Sequence, residues 1–144
     1  MIRKYKASDE DKFCKLVMSQ WDDRRQYDIY EYDKLDPYFW IDHRLYNSDY
    51  VTLVDSALQS FICGHRRDYY MEVDSLYVHL QKRRQGLALA LKQQLTALAK
   101  EEGFNYIVAY NIISNDKSRK MNIKAGWKIE PYDGDYYKAS KRLI

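Results

Sequence analysis

The clearest pattern in the sequence is an amphipathic helix in the second half of the chain. Four leucines recur at intervals of three and four residues, which places them on one face of a helix: Leu87, Leu91, Leu95 and Leu98. Gly86 stands immediately before this run, and Gly103 follows it at a position where glycine commonly ends a helix. The pattern predicts a helix that Gly86 opens and Gly103 ends.

The first fifty residues predict one strand followed by helices. Residues 2–6 alternate apolar and basic side chains, as a short edge strand does. Ser8 and the acids after it are typical of a helix N-terminus. Three apolar residues follow at helical spacing: Phe13, Leu16 and Val17. Residues 21–46 carry aromatic side chains at irregular helical spacing, broken at Pro37, which predicts a second helix or a pair of helices.

Strand-like runs make up most of the remaining chain. Three of them predict an antiparallel meander before the leucine helix: residues 50–54, 57–64 and 69–79. After that helix, residues 104–110 predict a strand, and Asn115 caps a helix that ends at Gly126. Two further runs predict a closing hairpin: residues 127–130 and 136–141. The predicted order is β-α-α-β-β-β-α-β-α-β-β.

The composition fits one soluble globular domain. The chain has 144 residues, of which 46% are hydrophobic and 31% charged, enough for a single core. The first residues lack the apolar stretch of a signal peptide, and no run approaches the roughly 20 apolar residues of a membrane span. We therefore expect a cytoplasmic protein. Cys14 and Cys63 lie far apart without a metal-binding motif, so we expect two buried thiols and no disulfide, redox pair or metal site.

The charges are unevenly distributed. Residues 22–50 hold eight acids and four bases, whereas residues 81–144 hold six acids and thirteen bases. A basic second half favours a polyanionic ligand, although a solvated lysine-rich face has the same composition.

The segment 74–88 combines a strand, a basic turn and a helix start, which is the arrangement of an anion site. Unpaired amides at a helix N-terminus donate hydrogen bonds to phosphate oxygens. Gly86 lets the backbone approach a ligand, and Arg83 and Arg84 add charge. The alternative is a basic turn that glycine merely caps.

Two motifs resemble those of the Gcn5-related N-acetyltransferases (GNAT family). The first is Arg83-Arg84-Gln85-Gly86-Leu87-Ala88, similar to the family's Arg/Gln-x-x-Gly-x-Gly/Ala signature. The second combines an asparagine, a small residue and a Lys-x-Gly-aromatic tail: Asn115, Ser118, Asn122, Lys124, Gly126 and Trp127. The resemblance covers about residues 70–130. It implies an α+β acyl-CoA N-acyltransferase fold, with a central mostly antiparallel sheet flanked by helices.

The resemblance also implies how acetyl-CoA binds. The backbone of residues 76–78 would pair with the pantetheine arm like an added strand. Amides of residues 84–88 would hold the pyrophosphate, and Asn115 would meet the arm. The implied cofactor-binding residues are Leu76, Tyr77, Val78, Arg83, Arg84, Gln85, Gly86, Leu87, Ala88, Asn115 and Ser118. The strands at 69–79 and 104–110 are expected to splay apart and admit the thioester.

Candidate catalytic groups lie on both of those strands and on the helix after them. Glu72 and Asp74 are two residues apart on a strand, so they point to the same face, and either carboxylate could accept the acceptor's proton through water. Solvated strand carboxylates are the alternative. Asn122 stands where many relatives place a tyrosine acid, and an amide cannot donate a proton and then reionise. Asn122 could still hydrogen-bond the sulfur, which leaves protonation to water or to a hydroxyl such as Tyr110 or Tyr77.

In this family the acceptor usually enters across the first helices, which corresponds here to an acidic and aromatic segment. Such a segment would attract a cationic primary amine, on a small molecule or a peptide; the alternative is a solvated helix face with buried tyrosine rings. Its acids and tyrosines are Asp22, Asp23, Asp28, Glu31, Asp33, Asp36, Tyr27, Tyr30 and Tyr32. The predicted function is acetyl transfer from acetyl-CoA to a primary amine, by a monomer or homodimer. The alternatives are a catalytically impaired acyl-CoA-binding module and, ranked third, a nucleic-acid-binding protein.

Overall fold

The structure is a computed structural model that describes residues 1–24 and 36–144. It contains four α-helices: α1 (Glu10–Arg24), α2 (Pro37–Leu45), α3 (Leu87–Glu101) and α4 (Asp116–Lys124). It contains seven strands: β1 (Ile2–Lys4), β2 (Tyr50–Asp55), β3 (Ser60–Arg66), β4 (Tyr70–Val78), β5 (Tyr106–Ile112), β6 (Lys128–Pro131) and β7 (Tyr136–Arg142). The order along the chain is the one that the hydrophobic pattern predicts.

The seven strands form one sheet with the order β1-β2-β3-β4-β5-β7-β6. Every neighbouring pair is antiparallel except β4 and β5, which run parallel. β7 lies between β5 and β6, so the closing hairpin adds to the sheet through its second strand. This mixed sheet with flanking helices confirms the predicted α+β class.

Helices cover both faces of the sheet and close two apolar clusters. The cluster on the α3 side includes Met71, Leu91, Leu95, Ile107 and Trp127. The cluster on the side of α1 and α2 includes Phe13, Val17, Ile41, Phe61 and Tyr77. Alternate residues of the central strands enter opposite clusters, which fixes the face of each β4 side chain.

The N-terminal half differs from the prediction in three places. α1 continues through Trp21, so that residue belongs to the first helix and not to a second one. Asp9, not Ser8, organises the helix start: its carboxylate accepts from the Lys6 amide at 3.0 Å and from the Arg3 guanidinium at 2.7 Å. β3 begins at Ser60 instead of residue 57, because the Asp55 carboxylate accepts hydrogen bonds from three groups and holds a wider turn.

Asp36 caps α2 by accepting from the Tyr38 amide at 2.9 Å, and Pro37 is the first helical residue. The predicted acceptor residues Tyr27, Asp28, Tyr30, Glu31, Tyr32 and Asp33 lie outside the described residues. No helix in the described ranges is long and apolar enough to cross a membrane.

β4 contains a bulge, and it separates from β5 just at that point. On the β3 side, Gly64 pairs with Val73 and Cys63 pairs with Ser75, which leaves Asp74 as the extra residue. On the β5 side, pairing runs from Tyr70 to Val73 and stops there. Bulges bend a strand and sharpen its twist. The remaining half of β4 therefore diverges from β5, as the resemblance implied.

Candidate active site between β4 and β5

The divergence of the two strands opens a cleft of about 890 Å³. Its walls come from β4, the turn after it, the first turns of α3, the end of β5, and α4. Within residues 1–24 and 36–144, six basic residues line it: Arg24, Lys82, Arg83, Arg84, Lys92 and Lys117. Asp74 is the single acid in the lining among these described residues. The cleft therefore has the charge and size to hold an elongated polyanion.

The start of α3 presents free amides to this cleft. Gly86 precedes the helix with φ +78°, and Arg84 has φ +66°, so the backbone curls around the turn in left-handed conformations. No side chain caps the helix. A Cβ on Gly86 would meet nothing within 4 Å, which leaves open space beside the backbone. Amides in such a curl, at the positive end of a helix, form a nest for phosphate.

The free edge of β4 offers backbone groups along the cleft. The His79 amide donates to the Gln59 carbonyl on the β3 side at 2.7 Å. Successive backbone groups of a strand alternate in direction, so Leu76 and Val78 turn theirs toward the gap. The His79 ring accepts from the Gln81 amide at 3.3 Å, which makes it a local cap.

Arg83 is bound within the protein. Its Nη2 donates to Asp23 Oδ2 at 2.7 Å, and its Nε donates to the Val78 carbonyl at 3.0 Å. The Tyr77 hydroxyl donates to the same carboxylate at 2.8 Å. Arg83 therefore positions the turn, and Arg84 is the arginine left to meet a phosphate. The Tyr77 hydroxyl faces α1, and its backbone groups point toward Phe61 of β3, opposite to those of Leu76 and Val78.

The α4 motif lies on the opposite wall. Asn115 Oδ1 accepts from the Ser118 amide at 3.2 Å, which confirms Asn115 as the cap of this helix. Both residues line the cleft. The Asn115 cap uses only Oδ1, so the Nδ2 group remains as a donor.

The two candidate carboxylates of β4 share a face, as predicted, and each is ion-paired. Met71 and Val73 pack toward α3, so alternation places Glu72 on the other side. Asp74, the bulge residue, lies on that side too, because it contacts Arg44 of α2. Arg44 Nε lies 2.7 Å from Asp74 Oδ2, and Arg67 Nε lies 3.6 Å from Glu72 Oε1.

Tyr110 follows the last β5 residue that pairs with β4, and it lines the cleft. Its ring centre lies 4.6 Å from that of Tyr132. Burial raises the pKa of Tyr110, and the neighbouring Tyr70, Tyr132 and Glu72 add to the effect. Its phenol therefore stays protonated at neutral pH.

Asn122 is completely buried, and its amide is engaged on both sides. The Oδ1 atom accepts from Lys92 Nζ, and the Nδ2 group donates to Asn111 Oδ1 at 3.5 Å. The Lys92 ammonium group also stands 4.2 Å from the centre of the Trp127 ring. A buried lysine thus occupies the space beside Asn122.

Comparison with known families decides the assignment. Residues 11–127 match the sequence profile described as the Acetyltransferase (GNAT) family. The chain belongs to the GNAT acetyltransferase family. A search of curated proteins found no significant match.

Solved structures share the GNAT fold over nearly the whole chain. The PaiA N-acetyltransferase from Thermoplasma acidophilum, in complex with coenzyme A, is 20% identical with a TM-score of 0.79, covering 99% of this chain and 98% of that one. YncA from Salmonella typhimurium, a putative acetyltransferase with its cofactor acetyl-CoA, is 18% identical with a TM-score of 0.79, covering 100% and 94%. An N-acetyltransferase from Staphylococcus aureus Mu50 is 22% identical with a TM-score of 0.78, covering 100% and 98%.

Three charged residues of the site in this GNAT chain were not predicted from the sequence: Arg44, Arg67 and Lys92. Asp23 was predicted as an acid of the acceptor segment, and it binds Arg83 instead. One of the three had a signal in the sequence. Lys92 falls on the same helical stripe as Leu95 and Ala99, and a lysine in an apolar stripe indicates a buried charge.

Proposed function

We propose that this chain transfers the acetyl group of acetyl-CoA to a primary amine. The observation that carries the proposal is the parting of β4 from β5 within a cleft that has a glycine-opened helix start and a basic lining. The helix start suits a pyrophosphate, the strand edge suits an amide-containing arm, and the opening suits a thioester that must meet an acceptor. Membership of an acetyltransferase family supports the same conclusion.

Each part of the cleft has a task in this proposal. The amides of residues 84–88 bind the pyrophosphate, with Arg84 as the charged partner. Leu76 and Val78 pair with the pantetheine arm, and Asn115 Nδ2 donates to it from the other wall. Gln85, Leu87, Ala88 and Ser118 belong to the same cofactor-binding set.

The chemistry requires an oxyanion donor and a route for the acceptor's proton. The Val78 amide is the proposed donor to the carbonyl oxygen, since it faces the gap. Glu72 and Asp74 are the proposed carboxylates that accept the amine proton through water. Each carboxylate also contacts an arginine, Arg67 for Glu72 and Arg44 for Asp74.

The proposed acceptor is a primary amine on a cationic small molecule or a peptide. Of the acids that motivated a cationic acceptor, Asp23 binds Arg83 and Asp36 caps α2, so neither is free to bind it. The charge beside Glu72 and Asp74 is mixed, because Arg44 and Arg67 stand there too. Amines that carry a nearby carboxylate should therefore be the first to be compared with purely cationic amines as acceptors.

A catalytically impaired acyl-CoA-binding module is the second candidate. The complete burial of Asn122 favours it, because that amide is held inside the protein by Lys92 and Asn111 and supplies no acidic proton. Binding alone would then be the function of the cleft.

Calorimetry with acetyl-CoA tests the cofactor site. Gly86→Asp places a carboxylate in the space proposed for the phosphates and should abolish binding. Gly103→Asp is the matched control, because Gly103 also has φ +88° and open space around it, but lies at the other end of α3. Equal affinity in the two variants, both folded, would show that the site is wrong.

Thiol release in the presence of an amine panel tests the transfer. The panel should contain polyamines, neutral amines, amino acids and peptide N-termini. Turnover with a primary amine is expected. Tight acetyl-CoA binding without turnover on any amine would favour the binding module.

A further inference from the structure

Lys92 carries an ammonium group that is buried without a counter-ion. The residue is 3% exposed, yet it lines the cleft. Its Nζ donates to Asn122 Oδ1 and faces the Trp127 ring. Within residues 1–24 and 36–144, no carboxylate pairs with it. Burying an unpaired charge opposes folding, and such groups concentrate at functional sites.

A short chain of side chains connects Lys92 to the opening between the strands. Asn122 Nδ2 donates to Asn111 Oδ1, and Asn111 lies two residues beyond Ala109, where pairing with β4 stops. Lys92 is six residues, about 9 Å along the helix, from Gly86, so its backbone lies beyond the turn proposed to bind the pyrophosphate. Its side chain lines the cleft together with Ala109 and Asn111 at the end of β5.

We propose that Lys92 donates the proton that the departing thiolate of coenzyme A takes up. This inference rests on the proposed function. The amine nitrogen forms a bond to the thioester carbonyl carbon, and the C–S bond then breaks with its electron pair remaining on sulfur. The Lys92 Nζ–H proton passes to that sulfur, which leaves a neutral lysine. Water returns a proton to Lys92, and the proton lost by the acceptor nitrogen goes to solvent, so atoms and charge balance.

The surroundings of Lys92 suit this task. Burial lowers the pKa of Lys92 to about 8, so the group is protonated at neutral pH but releases its proton readily. The two groups that contact the ammonium group are neutral, Asn122 Oδ1 of α4 and the Trp127 ring, and the second pocket that Lys92 lines is bordered by the cations Lys100 and Lys141. Burial raises the pKa of Tyr137, so that phenol adds no negative charge.

The first test uses the binary complex with coenzyme A and needs no acceptor. Ultraviolet absorbance of the thiolate gives the pKa of the bound thiol. An adjacent ammonium group should lower that pKa by about 1 to 3 units relative to the Lys92→Met complex. Lys100→Met is the control, because it removes an exposed lysine from the same helix about 12 Å away. It should leave the thiol pKa as in wild type.

The second test separates charge from proton donation. Lys92→Arg keeps a cation but cannot release a proton, so the bound thiol should retain a lowered pKa while kcat falls about a hundredfold. The alkaline limb of the kcat profile near pH 8 should also vanish in this variant.

The two proposals fail in different ways. If wild type does not bind coenzyme A, the proposed function and this inference both fall. If coenzyme A binds but folded Lys92→Met and Lys92→Arg leave the thiol pKa and the pH profile unchanged, Lys92 is structural and the proposed function stands. Acetylated Lys92, found by mass spectrometry of the turning-over enzyme, would show instead that the residue is an acyl acceptor, and would overturn the inference.

Discussion

The guanidinium group of Arg83 donates to the carboxylate of Asp23 at 2.7 Å and so ties the turn before α3 to the end of α1. The two residues are 60 positions apart in the sequence. The pair is partly exposed, with side-chain accessibilities of 40% and 34%. A pair of this kind contributes little to global stability, so its main effect is to position the turn.

The two arginines of the turn are therefore expected to differ in their effect on coenzyme A binding. Arg84→Met should lower the affinity about tenfold and weaken its dependence on salt, because a charge that meets phosphate is lost. Arg83→Met should change the affinity indirectly, because it removes the ion pair with Asp23 that positions the turn. In calorimetry, the effects of Arg83→Met and Asp23→Asn on the free energy of coenzyme A binding should be non-additive. The effects of Arg84→Met and Asp23→Asn should add. The reverse pattern would show that Arg83 is the phosphate ligand.

Asn122 should control the protonation of Lys92. Asn122→Asp places an anion beside the ammonium group and should raise the pKa of Lys92 by about 1 to 3 units. Asn122→Ala removes a hydrogen-bond acceptor of the charged form and should lower that pKa. Nuclear magnetic resonance on protein labelled with ¹³C at the lysine ε-carbon measures both, with the Lys92 signal assigned by its loss in Lys92→Met. Identical titration of Lys92 in all three proteins would contradict the contact.

The buried charge of Lys92 should make stability depend on pH. The pKa is lowered to about 8 in the folded state, against about 10.4 unfolded, so the unfolded chain binds more protons between these values. The buried ammonium group of Lys92 therefore destabilises the folded state fully below pH 8. This destabilisation decreases as pH rises from 8 to 10.4. Lys92→Met should exceed wild type in unfolding free energy by on the order of 3 kcal/mol at pH 7, with the difference shrinking toward pH 10. Urea denaturation at a series of pH values measures it, and a difference that does not vary with pH would contradict the burial.

Gly64 should be required for packing beside the β4 bulge. A Cβ at this position would lie 2.8 Å from Met71 Sδ and 3.0 Å from Leu95 Cδ1, and both side chains are fully buried. Gly64→Ala should therefore destabilise the protein by about 1 to 3 kcal/mol. Gly134→Ala, where the space is open, should change stability by about 0.5 kcal/mol or less. Thermal denaturation compares the two variants, and equal midpoints would show that the core absorbs the methyl group.

The sequence alone determined the order of elements and the position of the turn proposed to bind the cofactor. The leucine repeat predicts α3, and Asn115 predicts the start of α4, because helical periodicity and capping depend on residues within one or two turns. Gly86 predicts the phosphate-binding turn for the same local reason. The boundaries that were missed, such as the start of β3, depend on a wider turn held by the Asp55 carboxylate.

Only the tertiary structure decided which partners the charged side chains take. Arg83 reaches Asp23 across 60 positions, and Arg44 reaches Asp74 across 30, so neither contact follows from local spacing. The bulge at Asp74 depends on the register between β3 and β4, which only strand pairing sets. Lys92 and Asn122 likewise meet because α3 and α4 pack around one buried space. Elements form from neighbouring residues, whereas the protonation and charge of the site depend on residues that folding brings together.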